Sequence, residues 1–141
     1  MNTISYDVWL TLKFLCLSNK RPQLEIFLNG NSIAISNVDC DSSVKILLKS
    51  PFGPNNLEIK FLNKEPFDTI IDNEGNIVAD LAIHVLKFEI ENHDLTQHMI
   101  SNCKYITSTD ETMQTYGYMS HNGTLSYQYI CPGFYFIRQI S

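Results

Sequence analysis

The chain has 141 residues, of which 44% are hydrophobic and 18% charged, and its formal net charge is −5. A chain of this length buries about two thirds of its unfolded surface within one domain, so residues 1–141 read as a single unit that needs no staple to fold. The acidic balance, with no basic run beyond Lys20-Arg21, argues against nucleic acid and anionic membrane surfaces as partners, because both are usually met by basic fields.

The first element reads as a strand. Ile4, Tyr6, Val8, Leu10, Leu12, Phe14 and Cys16 alternate with Thr3, Ser5, Asp7, Trp9, Thr11 and Lys13, the period of a half-buried strand. Asp7 and Lys13 break what would otherwise resemble the apolar core of a secretion signal, so no signal peptide is expected. Nor does any apolar run reach the about 18 residues needed to span a bilayer. Trp9 falls on the polar face, either as an exposed contact residue or covered by a second sheet.

Leu24–Leu28 and Ser32–Ile35 flank Asn29-Gly30, the pair that supplies both positive φ angles of a type I′ hairpin. Val44–Leu48 and Leu57–Leu62 flank Ser50-Pro-Phe-Gly-Pro-Asn-Asn56, which reads as a loop because proline cannot pair within a central strand. Asn73-Glu74-Gly75 marks another tight turn. The next strand, Leu81–Glu91, places Ala82, His84, Leu86, Phe88 and Ile90 on one face, with His84 as a core histidine. Asn92-His93-Asp94 can cap a two-turn helix over Leu95–Ile100. Met113–Met119 and Thr124–Ile130 flank Ser120-His121-Asn122-Gly123, a second Asn-Gly hairpin, and Pro132-Gly133 precedes a last strand, Phe134–Arg138. Strand and turn signals thus recur about every 8 to 12 residues, the spacing of an antiparallel sandwich. The expected fold is all-β: a two-sheet antiparallel, jelly-roll-like β-sandwich with at most one short helix.

Cys16, Cys40, Cys103 and Cys131 form no C-x-x-C pair, so they read as buried thiols rather than zinc ligands. Asp68, Asp72, Glu74 and Asp80 lie close together with Asn73 and Asn76. Such hard oxygen donors suit calcium, although the spacing is not that of an EF-hand, and solvated turn acids are the alternative. Tyr116, Tyr118, Tyr127 and Tyr129 fall at period two on the arms of the last hairpin. Tyrosines so placed form a contact surface for a sugar or a protein, or else line the core. No nucleophile elbow, phosphate loop or H-E-x-x-H is present, so no catalytic residue and no enzymatic activity is expected.

Pro22-Gln-Leu-Glu-Ile-Phe-Leu-Asn-Gly30, Asn56-Leu-Glu-Ile-Lys-Phe-Leu-Asn63 and Asp80-Leu-Ala-Ile-His-Val85 resemble the calcium-dependent xylan-binding modules. The resemblance is one of strand pattern and spans about residues 3 to 92. It implies a glycan ligand and calcium held by loop acids, with Asp80 the matching position. The stretch from Asn63 to Asp80, together with Tyr116-Gly-Tyr-Met-Ser-His-Asn-Gly123, is similar to small proteins encoded by T-even-like marine phages. That second resemblance implies a non-enzymatic structural or assembly component of a phage particle, found in the virion and the cytoplasm of the infected host, with protein subunits as partners. The alternative is a calcium-dependent carbohydrate-binding module that recognises a cell-surface glycan.

Overall fold

The computed structural model describes residues 5–16, 21–37, 43–64, 69–79, 83–90, 93–113, 118–119 and 122–131. In chain order these form β1 (Ser5–Cys16), β2 (Gln23–Leu28), β3 (Asn31–Asn37), β4 (Ser43–Pro51), β5 (Gly53–Phe61), β6 (Ile70–Ile71), β7 (Ile77–Ala79), β8 (Ile83–Ile90) and β9 (His93–Asp94). Helix α1 (Thr96–Asn102) follows, then β10 (Lys104–Thr107), β11 (Thr112–Met113), β12 (Tyr118–Met119) and β13 (Gly123–Cys131). One sheet has the order β12-β8-β1-β4, with β9 also paired to β8, and the other has the order β11-β10-β13-β5-β2-β3. Every pairing among the described residues is antiparallel, and β6 and β7 form a separate two-stranded ribbon. The all-β, two-sheet architecture with one short helix is therefore the expected one, and α1 is neither long nor apolar enough to cross a membrane.

Alternation decides which face of each strand is buried. Val8, Leu10 and Leu12 of β1, with Leu48, Val85, Phe88 and Ile90 of its neighbours, meet Leu24, Ile26, Leu57, Ile59, Phe61, Leu125 and Tyr127 of the other sheet. At about 25 cal/mol per Å² of apolar surface removed from water, this interdigitated layer supplies the main favourable term for folding. The two strands at the centres of the sheets come from opposite parts of the chain. β1 lies between β8 and β4, and β13 lies between β10 and β5.

The Asn29-Gly30 hairpin forms as expected, with φ of 51° and 85° at its two turn residues. The loop expected over Ser50–Asn56 does not. β4 runs to Pro51 and β5 starts at Gly53, so only Phe52 lies between the strands. Both prolines are tolerated for a positional reason. Pro51 ends an edge strand, and Pro54 pairs with β13 beyond the point where β2 joins β5 at Leu57, so neither sits where a second ladder needs its missing N–H. Gly53, at φ 100°, makes the corner between sheets. Buried Asn55 fastens that corner, donating to the carbonyls of Pro51 and Gly53 at 3.0 Å and accepting from Asn29 Nδ2 at 2.9 Å.

Two other expectations change. On β8 the register against β1 slips after the Lys13–Lys87 pair, so that Phe14 pairs with Val85. This bulge leaves Leu86 exposed and moves Val85 onto the buried face with Phe88 and Ile90, so His84 no longer shares their face. The second Asn-Gly hairpin is not a hairpin: β12 pairs with β8 in the first sheet, whereas β13 pairs with β10 and β5 in the second. Asn122 instead joins two chain segments, with its side chain accepting from Lys64 N–H and donating to Lys64 C=O, each at 2.8 Å. Gly123 faces the backbone of Ile106 so closely that a Cβ there would lie 2.5 Å from its carbonyl oxygen.

Candidate functional site

The outer face of the second sheet is where polar side chains converge. Along β5, Asn56, Glu58 and Lys60 alternate with buried Leu57, Ile59 and Phe61; along β13, Thr124, Ser126 and Gln128 alternate with buried Leu125, Tyr127 and Tyr129. Antiparallel register sets these residues in rows. Lys104, Ser126 and Glu58 form one row across β10, β13 and β5, Gln128 lies opposite Asn56, and Thr124 lies opposite Lys60.

Two clefts lie on this face. The first, about 500 Å³, is lined by Asn56, His98, Asn102, Lys104, Ser126 and Gln128. The second, about 540 Å³, includes Glu58, Lys60, Asp110, Thr124 and Ser126 in its lining. Both include Ser126, so they adjoin as one groove across the sheet. Lys60 Nζ also sits 4.5 Å from the centroid of the Phe27 ring, a cation–π contact that bounds the groove on the β2 side.

Helix α1 closes the end of the first cleft, and its start is pinned to β8. Thr96 Oγ1 accepts from Phe88 N–H at 2.9 Å and donates to Asp94 Oδ1 at 2.6 Å, while Thr96 N–H also donates to that oxygen at 2.9 Å. The Thr96 hydroxyl bond, followed by its backbone N–H, holds the Asp94 carboxyl below its usual range. The helix begins one residue later than the expected Leu95 and runs to Asn102, whose Nδ2 donates to His98 C=O at 2.9 Å. From this helix His98 Nδ1 shares a hydrogen bond of 2.7 Å with Tyr127 Oη, with the two rings at 83° in an edge contact. The groove is thus tied directly to the core.

The tyrosines expected on a contact surface divide. Tyr127 and Tyr129 are core residues: both are buried, Tyr127 meets the Phe88 ring edge-on at 5.1 Å, and Tyr129 bonds Ser50 of the opposite sheet at 2.6 Å. Ser50 Oγ donates to Leu48 C=O at 3.2 Å, so the Tyr129 hydroxyl donates to Ser50. Burial pushes both phenols up, that of Tyr129 to about 12. Tyr118 lies on β12 opposite His84, with its side chain outside the described residues, as is the whole of Tyr116. Trp9 is 50% exposed on the outer face of the first sheet, opposite Leu47, and so lies on the other side of the sandwich from the groove.

Of the four acids expected to hold calcium, Asp68 and Asp80 lie outside the described residues. Asp72 and Glu74 occupy the β6–β7 turn, where Asp72 Oδ1 accepts the N–H groups of Glu74 and Asn76, each at 2.9 Å. Chiefly the Asn76 N–H lowers the Asp72 pKa. This oxygen shapes the turn around Gly75, whose φ is 84°. Among the described residues no three His, Cys, Asp or Glu side chains are grouped to hold a metal.

No family model and no curated protein matches the chain. Among solved structures it is similar to vCBM60 in complex with galactobiose, with a TM-score of 0.53 and 9% identity over 84% of this chain and 95% of that chain. The two share a two-sheet antiparallel sandwich fold. At such low identity the likeness extends to the module's sandwich architecture and not to its side chains. The groove residues Ser126, Gln128, Asn56 and Lys104 did not stand out in the sequence, because on a strand's polar face they look like ordinary solvated positions. Only the register between β10, β13 and β5 reveals that they form one surface.

Proposed function

We propose that this module-type sandwich is a non-catalytic glycan-binding protein whose ligand lies in the groove over β10, β13 and β5. The carrying observation is the meeting at Ser126, on one sheet face, of a polar cleft and a second cleft that mixes polar groups with exposed Leu62 and Ile106. Asn, Gln and Ser side chains there offer paired donors and acceptors, which is what the hydroxyl groups of a sugar require, and side chains fixed on strands lose little freedom on binding. An open groove also accepts a segment of a longer chain. Isothermal titration against oligosaccharides tests the reading with Gln128→Ala, since Gln128 is exposed and its truncation leaves the core intact. Affinity should fall about fivefold to tenfold, the scale of one or two hydrogen bonds. Saccharide binding left unchanged by both Gln128→Ala and Ser126→Val would remove the groove from the account.

A second reading, a subunit role in a larger assembly such as the phage particle, rests on a different observation. Ile70, Ile71 and Ile77 of the β6–β7 ribbon are 52%, 59% and 62% exposed, which suits a protein contact. Mass spectrometry of purified particles should then find the protein at many copies, whereas its absence from them would leave glycan binding alone.

A further inference from the structure

Resting on the glycan reading, we infer that the first cleft selects an anionic sugar, one carrying a carboxylate or a sulfate ester, and that Lys104 is the residue that recognises it. Among the described residues, the side chains lining this cleft are three amides, one hydroxyl, one imidazole and one ammonium, with no carboxylate among them. In a chain of net charge −5, such a lining is a local reversal of sign. Lys104 is exposed and has no ion-pair partner among the described residues. Its nearest acid in the same row, Glu58, stands two strands away beyond Ser126, about 10 Å by strand spacing. That is comparable to the screening length of physiological salt, so Glu58 does little to neutralise it. Glu58 also has Lys60 two positions along β5, on the same face, as a closer cation.

The other lining groups complete the recognition. Gln128 and Asn102 can donate amide N–H groups, and Ser126 stands directly across from Lys104. Together they place neutral donors around one cation, the arrangement that favours a charge-assisted hydrogen bond to an oxyanion over one to a neutral hydroxyl. The second cleft sets Glu58 and Asp110 against the one ammonium of Lys60, so its described lining is net negative, and an anionic unit is directed to the α1 end of the groove and neutral units to the other.

The test is titration with matched neutral and anionic oligosaccharides: galactotetraose, tetragalacturonate, sulfated galactotetraose, xylotetraose and a glucuronic-acid-substituted xylotetraose. At least one anionic oligomer should bind about tenfold more tightly than its neutral counterpart, the scale of one charge-assisted contact. Lys104→Met should abolish that preference while leaving thermal stability unchanged, because the side chain is exposed and has no ion-pair partner among the described residues. Loss of the preference as salt is raised completes the expectation, and the uronate and sulfate ligands show which anion is used. Equal affinity for neutral and anionic oligomers, or a preference that survives in Lys104→Met, overturns the assignment while glycan binding stands. Failure of every oligosaccharide to bind sinks the assignment together with the glycan reading beneath it.

Discussion

Tyr129 and Tyr127 each place a hydroxyl deep in the structure, and each hydroxyl is answered, by Ser50 on the opposite sheet and by His98 on α1. Tyr129→Phe keeps the ring but leaves Ser50 without its donor, so it should cost about 1–2 kcal/mol in urea unfolding, more than a surface Tyr→Phe change. The alkaline pH dependence follows from the same burial. Because the folded phenol of Tyr129 titrates near 12 and the unfolded one near 10.0, the folded state holds its proton more tightly. Stability from this group is full below pH 10 and is lost as pH rises towards 12, with Tyr127 shifted in the same direction. Melting temperatures should therefore stay level up to about pH 10 and then fall, and the fall should shrink in the double Tyr127→Phe, Tyr129→Phe variant. The period-two spacing of these tyrosines was legible in the sequence, but spacing fixes only that they share a face. Which face is buried depends on β13 being central in its sheet.

Gly30 and Gly123 follow asparagine in the same dipeptide, yet the structure uses them differently. Gly30 supplies positive φ in a hairpin, with open space where a Cβ would be; Gly123 has ordinary φ but lies against the Ile106 carbonyl. Gly30→Ala should cost about 1 kcal/mol through backbone conformation alone. Gly123→Ala should cost about 1–3 kcal/mol, because backbone must move to admit the methyl group, and should weaken the β10–β13 pairing first, which hydrogen exchange at Tyr105 and Leu125 can locate. The contrast explains why the first hairpin was legible and the second was not. Asn-Gly reports turn chemistry only when the strands beside it are partners, and partnership between strands distant in sequence leaves no local trace. The β8 bulge was hidden for a related reason: Ile83-His-Val-Leu-Lys-Phe is apolar at both phases, so the pattern fits either register until β1 chooses one.

The whole sandwich depends on one layer between two sheets, with Phe88 and Tyr127 in edge contact at its middle. Phe88→Ala should cost about 3–5 kcal/mol, enough to threaten a domain whose total stability is of order 5–15 kcal/mol. Far-ultraviolet circular dichroism should show a β-rich spectrum with well under about a third helix, the base level of globular proteins. The groove inherits its stiffness from this layer, because Ser126 and Gln128 interleave with Leu125, Tyr127 and Tyr129 on one strand. Ligand binding should therefore proceed with little backbone rearrangement, and amide chemical-shift changes should concentrate on β5, β10 and β13 rather than spread through the first sheet.

Since β13 joins β10 to β5 and β1 joins β8 to β4, neither sheet can be completed from one contiguous stretch of chain. During synthesis the β3-β2-β5 ladder can assemble early, but its β5 flank stays open until Gly123–Cys131 has left the ribosome. Until then β5 presents unpaired N–H and C=O groups beside Leu57, Ile59 and Phe61, a template for pairing with another nascent chain. Acquisition of the native state should be a late, single event rather than a growing one. Nascent chains halted at Thr107 should remain protease-sensitive and bind chaperones, and those extended past Cys131 should turn resistant together across both sheets.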